Sequence, residues 1–170
     1  MDLASMIRDV PDFPKKGILF KDITTLIKDP EAFQTAIDMM FDYCKDMPVD
    51  VVAAIESRGY IFGGVLAYKL GAGFVPVRKE GKLPAETIRV EYSLEYGTAV
   101  LEMHKDAIEP GQKVLVVDDL LATGGTAKAT IDLVEELGGE VVAVLFLIDL
   151  TFLKGVEKLK GYDVYSLIKF

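Results

Sequence analysis

The chain has 170 residues, enough for one domain with a full core, and 51% hydrophobic content, which excludes a disordered chain. A net charge of −8 argues against gripping nucleic acid with the whole surface, so any phosphate binding must come from locally placed Arg, Lys and backbone N–H groups. One cysteine and one histidine exclude an intrachain disulfide, a cysteine-built zinc site and histidine metal clusters.

Along residues 3–10, Leu3, Met6, Ile7 and Val10 fall on one face of a short helix, which Pro11 and Pro14 end. The N-terminus carries Asp2, Arg8 and Asp9 and no apolar core, unlike a secretory signal, and no apolar run approaches the roughly 20 residues of a membrane span. A cytoplasmic protein with no membrane partner is expected. Phe13 to Gly17 reads as a loop, and Ile18 to Ile23 as a short apolar stretch broken by charge. Asp29-Pro30-Glu31 is a helix start, with Asp29 as N-cap and Pro30 at the first helical position. Phe33, Ile37, Met40, Phe41 and Cys44 then form an apolar stripe to about residue 45, in which Cys44 belongs to the core.

Val51 to Ile55 reads as a buried strand, Glu56-Ser57-Arg58-Gly59 as its exit loop, and Tyr60 to Leu70 as a helix with Gly71 as C-cap. Gly73 to Val77 is a shorter strand. Residues 78–97 show no clean period and much charge, which predicts a lid loop. Ala99 to Met103 is a strand, and Val114 to Val117 another. After Thr126 a helix carries Ala127, Ile131, Val134 and Leu137 inward until Gly138-Gly139 stops it. Val141 to Ile148 and Tyr162 to Leu167 are the last strands. Strands alternating with helices predict an α/β domain spanning residues 1–170, with a mostly parallel central sheet and helices on both faces. Ligands in such sheets bind beyond the carboxyl ends of strands, which puts Glu56–Gly59, Arg78–Tyr96 and Asp118–Thr126 on one rim.

The chemistry concentrates in Val114–Thr126. Asp118 and Asp119 follow the apolar run, then Ala122-Thr123-Gly124-Gly125-Thr126 turns into the helix. Glycines permit a tight turn, the helix start supplies unpaired N–H groups and its positive dipole end, and the threonines add hydroxyls: an anion pocket suited to phosphate. It lacks the Lys of a G-x-x-x-x-G-K-[ST] loop, and Gly71-Ala72-Gly73 precedes a strand, the wrong order for a dinucleotide site. Two carboxylates beside a phosphate pocket suit a ligand with one phosphate and vicinal hydroxyls, such as a phosphoribosyl group. An ordinary βα turn with solvated acids, or a receiver-type acidic pocket, are the other readings. Arg58, at the exit of a buried strand, suits a phosphate or a ring nitrogen, or is a surface charge. Arg78, Lys79 and Lys82 form the strongest basic cluster, suited to a diphosphate or else simply solvated. Glu91 to Gly97 reads either as the closing end of a lid carrying a general acid or base, or as a strand with alternating exposed charges. His104 is more structural or solvated than catalytic.

The Val114–Thr126 stretch resembles the phosphoribosyl-diphosphate signature of the type I phosphoribosyltransferases. Phe13-Pro14, Gly17 to Ile23, Glu56 to Gly63, Arg78 to Pro84 and Tyr92 to Gly97 extend the resemblance over nearly the whole chain, toward the members that act on adenine. The resemblance implies a small N-terminal hood over the base, a flexible lid, and conversion of adenine and phosphoribosyl diphosphate to AMP and diphosphate. It implies that Ala122, Thr123, Gly124, Gly125 and Thr126 hold the 5′-phosphate, and that Asp118 and Asp119 meet the ribose hydroxyls, directly or through Mg²⁺ and water. Ser57, Arg58, Arg78, Lys79 and Lys82 would line the diphosphate side, some reaching across a homodimer. Phe20 would stack on the base, with the backbone of Leu19 and Lys21 reading its edge. Glu95 would be the general acid or base, with Tyr96 beside it among the substrate-binding residues. Mg²⁺ is the implied cofactor. The charged Ala85–Glu91 segment departs from the usual lid. A non-catalytic phosphoribosyl-diphosphate sensor and a transferase for another base are the alternatives; the chain has no added DNA-binding length for the first, and the Phe20–Asp22 and Glu95 segments argue against the second.

Overall fold

The computed structural model describes residues 1–94 and 96–170. Among these, the strands are β1 (Arg8–Pro11), β2 (Leu19–Asp22), β3 (Val51–Ile55), β4 (Gly73–Lys79), β5 (Thr87–Ser93), β6 (Thr98–His104), β7 (Lys113–Leu121), β8 (Glu140–Asp149) and β9 (Val164–Lys169). The helices are α1 (Thr24–Ile27), α2 (Pro30–Cys44), α3 (Gly59–Leu70) and α4 (Gly125–Glu136). The larger sheet has the order β5-β6-β4-β3-β7-β8-β9. Its β4-β3-β7-β8-β9 part is parallel, and β5 and β6 add an antiparallel hairpin at the β4 edge. β1 and β2 pair antiparallel in a separate two-stranded sheet, the predicted hood.

Successive strand side chains point to opposite faces, so each central strand feeds two cores. Val52, Ala54, Leu115, Val117, Leu145 and Leu147 pack with α2 and α3. Val51, Ala53, Ile55, Val114, Val116 and Phe146 pack with α4 on the other face. α2 starts as expected, the Asp29 carboxylate accepting from Ala32 N at 2.8 Å with Pro30 leading the helix. Gly71 ends α3 in the left-handed conformation, φ 66°. Cys44 is fully buried, and burial pushes its thiol up.

Two expectations change. The helix expected over residues 3–10 is a single helical turn, Ala4–Met6, followed by β1. Leu3 and Ile7 do bury against the core, but Arg8–Pro11 pairs with β2 in the register Arg8↔Asp22 to Pro11↔Leu19, a long-range pairing that local periodicity does not reveal. The second change is larger. Residues 78–97 are not a loop throughout: Arg78 and Lys79 belong to β4, and Thr87–Ser93 is a strand paired with β6 from Thr87↔His104 to Ser93↔Thr98. Ile88, Val90 and Tyr92 alternate inward onto the α4-side core, leaving Arg89 and Glu91 exposed. The charges that looked foreign to a lid are the outer face of this strand. Leu94 N donates to Gly97 O at 2.9 Å at the hairpin tip, and Glu95 lies outside the described residues.

Candidate functional site

The three rim segments converge as the parallel topology requires. A cavity of about 230 Å³ is bounded by Glu56 and Arg58 after β3, Lys79 at the end of β4, Tyr92 of β5, and Asp118, Asp119, Ala122 and Thr126. A second pocket of about 60 Å³ adjoins it, formed by Ala122 to Ala127 with Asp118 and Phe146.

The small pocket is lined by the glycine- and threonine-rich loop, and its geometry suits a phosphate. β7 carries the acidic pair within itself and ends only at Leu121, so the loop starts from a fixed strand end. Gly124 adopts φ +89°, and a Cβ there would meet the Gly155 carbonyl oxygen at 2.6 Å. Both the conformation and the space require glycine. α4 begins at Gly125, and its first intrahelical bond runs from Lys128 N to Gly124 O, so the N–H groups of Gly125, Thr126 and Ala127 face the pocket without a helical partner. An anion there meets three N–H groups, a helix dipole and threonine hydroxyls.

The acidic pair is asymmetric. Asp118 is 9% exposed, accepts from Asp119 N at 2.8 Å, and sits under the α3 N-terminus, where a Cβ on Gly59 would be 2.9 Å from its Oδ1. Burial, then the neighbouring Asp119 charge, push its carboxyl well above the usual range. Asp119 instead accepts from Arg58 Nε at 2.6 Å. Burial lowers the Arg58 guanidinium, but Asp119 and Asp118 more than offset this and hold it above its usual value.

Arg58 is also the link to the hood. Its guanidinium lies 5.7 Å from the Phe20 ring centroid, and Phe13 meets the same ring edge-on at 5.1 Å. Because the hood has two strands, one edge of β2 is unpaired among the described residues, which lets backbone polar groups along Leu19–Lys21 pair with a planar ligand. The Lys21 ammonium pairs with Asp9 at 2.6 Å and covers the Phe170 ring at 4.0 Å.

The basic cluster is less free than the sequence suggests. Arg78 donates to Glu56 Oε2 from Nε at 3.2 Å and Nη2 at 3.0 Å, and Lys82 reaches the same oxygen at 3.2 Å. Lys79 lines the cavity. Glu56 is thus a site residue that sequence reasoning passed over as one position in a loop; its partners are 22 to 26 positions away, and no local pattern joins them. Glu102 of β6 acts in a similar way, accepting from Gly81 N at 2.7 Å and the Thr87 hydroxyl at 2.6 Å. His104 accepts from Ala85 N, a structural contact. Ser57 is exposed, and Tyr96 is 83% exposed at the hairpin tip; neither lines the cavity.

The acid pair, Arg58 and Lys79 thus line one cavity beside the glycine-threonine loop, while Arg78 and Lys82 stand behind Glu56 and do not line it. Residues 23–165 match the phosphoribosyl transferase domain family. The chain belongs to the phosphoribosyltransferase family. An adenine phosphoribosyltransferase of Alkaliphilus metalliredigens is 61% identical over the full length of both proteins. Among solved structures of this family, the adenine phosphoribosyltransferase of Thermoanaerobacter pseudethanolicus superposes with a TM-score of 0.97 at 59% identity, covering 99% of this chain and 98% of that one. The Saccharomyces cerevisiae enzyme, complexed with an imino-altritol bisphosphate and adenine, gives a TM-score of 0.91 at 41% identity, covering 98% and 96%. The fold is therefore the type I phosphoribosyltransferase fold. Among the described residues, no helix is long and apolar enough to cross a membrane.

Proposed function

We propose that this protein transfers the 5-phosphoribosyl group from phosphoribosyl diphosphate to adenine, giving AMP and diphosphate, with residues 1–170 acting as one transferase unit. The observation that carries the reading is the convergence of the phosphate cradle, the acid pair and Lys79 on adjoining pockets, with Arg58 joining them to the aromatic hood. The names of relatives at about 60% identity and the adenine held by the yeast neighbour support the choice of base.

In this reading Ala122–Thr126 bind the 5′-phosphate, and Asp118 and Asp119 face the ribose hydroxyls. Lys79, Arg78 and Lys82, with Ser57 at the loop, take the diphosphate, and in a homodimer some of them serve the partner's site. Phe20 stacks on the base, while a backbone carbonyl and a backbone N–H along Leu19–Lys21 pair with its amine and neighbouring ring nitrogen. A 6-oxo purine reverses both groups and leaves buried polar atoms unpaired, at about 1–3 kcal/mol each. Glu95 exchanges a proton with the imidazole side of the base, beside Tyr96. The hairpin wall excludes water that would hydrolyse the activated sugar.

Mg²⁺ fits as a passenger of the substrate. Among the described residues no cluster of three or more candidate ligands exists, and one carboxylate of the acid pair is committed to Arg58. That donor set suits a cation held mainly by diphosphate oxygens and water, with Asp118 and Asp119 as outer partners. When bound, it neutralises charge on the leaving diphosphate. A cytoplasmic location belongs to the same reading.

The test is a base panel with phosphoribosyl diphosphate and Mg²⁺, following nucleotide formation. Adenine should be the preferred acceptor by about a hundredfold. Hypoxanthine or guanine turning over at the adenine rate would sink the specificity, and phosphoribosyl-diphosphate binding without nucleotide formation would favour a sensor. Glu95→Gln should lower kcat more than it raises the KM for adenine.

A further inference from the structure

Glu56 has no role in the chemistry above, yet it is the most heavily engaged carboxylate on the rim. Its side chain is 9% exposed. Oε1 accepts from Lys79 N at 2.7 Å, and Oε2 is shared by two nitrogens of Arg78 and by Lys82 Nζ. Burial raises the Glu56 carboxyl, but the Lys79 N–H, then Arg78 and Lys82, more than offset this and hold it below the usual range. It is therefore an anion, and one anion faces two side-chain cations. The group keeps an excess positive charge, in a wall that Glu56 and Lys79 share with the larger cavity.

Without that carboxylate, Arg78 and Lys82 repel one another, and each long side chain regains its rotamer freedom. With it, both are drawn to a single oxygen beside Lys79 before any ligand arrives. The separation in sequence matters: Arg78 and Lys79 end β4, Lys82 sits in the following loop, and Glu56, at the exit of the neighbouring strand, reaches all three.

We propose that Glu56 is the positioning residue of the diphosphate side of the site, gathering Arg78, Lys82 and the Lys79 backbone into a preassembled cationic wall for the leaving group. The inference rests on the phosphoribosyl-transfer reading. Preassembly lowers the ordering cost of binding, so the gain falls on diphosphate-bearing ligands and not on the base.

The test is titration calorimetry of the full-length protein with inorganic diphosphate and Mg²⁺, beside steady-state kinetics. Glu56→Gln should raise the diphosphate Kd and the phosphoribosyl-diphosphate KM by about tenfold each, and leave the KM for adenine unchanged. In an Arg78→Met, Lys82→Met background the same change should shift the Kd by less than about twofold, because both side-chain cations that Glu56 binds are gone and the Gln oxygen still accepts from Lys79 N. An equal loss in both backgrounds, or unchanged or tighter binding by Glu56→Gln, overturns the proposal. Should Glu56→Gln not fold, Glu56→Asp serves: it keeps the charge but shortens the reach, and should weaken diphosphate by about threefold, with no change overturning the proposal. Wild-type protein that binds no diphosphate would overturn the transfer reading and this inference together. Wild-type binding with an indifferent Glu56 would overturn this inference alone.

Discussion

Arg58 donates from Nε to Asp119 Oδ2 across 2.6 Å while its guanidinium lies 5.7 Å from the Phe20 ring centroid. One side chain therefore ties the acid pair to the aromatic hood, and a planar, forked cation does both where a point charge does not. Arg58→Lys should lower kcat/KM for adenine by about 10- to 100-fold with little change in unfolding midpoint. Steady-state kinetics with adenine varied, beside a thermal melt, checks this; an unchanged kcat/KM would remove Arg58 from the site.

How much of this was legible in the sequence follows from how far apart the cooperating residues lie. Val51–Ile55 and Val114–Val117 declare themselves by composition, and Asp29-Pro30 and Gly71 by the chemistry of helix ends, because those signals are local. The cradle was legible for the same reason: strand, acids, loop and helix are contiguous. β5 was missed because Arg89 and Glu91 drew attention to charge, although Ile88, Val90 and Tyr92 alternate inward at strict period two. β1 was masked by apolar residues that happen to match a helical turn. The Arg58–Asp119 pair spans 61 residues and the Glu56 hub 22 to 26, and separations of that size exist only once the parallel sheet has aligned its strand ends.

Gly124 and Gly17 separate backbone strain from steric exclusion. Both have positive φ, +89° and +90°, but a Cβ on Gly17 meets nothing within 4 Å, whereas one on Gly124 meets the Gly155 carbonyl oxygen at 2.6 Å. Gly17→Ala should cost about 1 kcal/mol from conformation alone. Gly124→Ala should cost about 2–4 kcal/mol, because backbone rather than a flexible side chain must yield, and should abolish nucleotide formation by misplacing the cradle. Urea unfolding of the two variants decides it, and equal losses would mean that the Gly155 contact relaxes freely.

The hood is fastened by Asp22, which accepts from Arg8 Nε at 3.0 Å, the Thr24 hydroxyl at 2.7 Å and Thr24 N at 2.9 Å. Thr24 foremost, with Arg8, lowers its carboxyl from 3.8 to about 2. A carboxyl depressed in the folded state stabilises that state above the unfolded value and loses its contribution as pH falls toward the folded one. The contribution is therefore complete above pH 3.8 and fades toward pH 2. Solvent screening holds it to about 1 kcal/mol. Asp22→Asn should lower stability at pH 7 by that amount and converge with wild type near the acid end. Thermal melts across this range check the sign, and a deficit that grows on acidification would contradict it.

Tyr92 is where the unforeseen strand touches the cradle. Its ring lies 3.4 Å from where a Cβ on Gly125 would stand, and it walls the cavity beside Thr126 and Ala122. The contact makes the hairpin a wall of the cavity beside the Thr123–Thr126 loop and not merely an appendage of β4. Removing the ring opens the cradle to water on one side and frees β5 from its packing against α4. Tyr92→Ala should raise the phosphoribosyl-diphosphate KM by about tenfold, and should increase base-independent release of diphosphate by a similar factor, since water then competes with the base. Tyr92→Phe keeps the ring and should keep both values within about twofold of wild type. Diphosphate release measured with and without adenine separates the two effects. A raised KM without added hydrolysis would make Tyr92 a packing residue of the cradle with no share in its barrier to water.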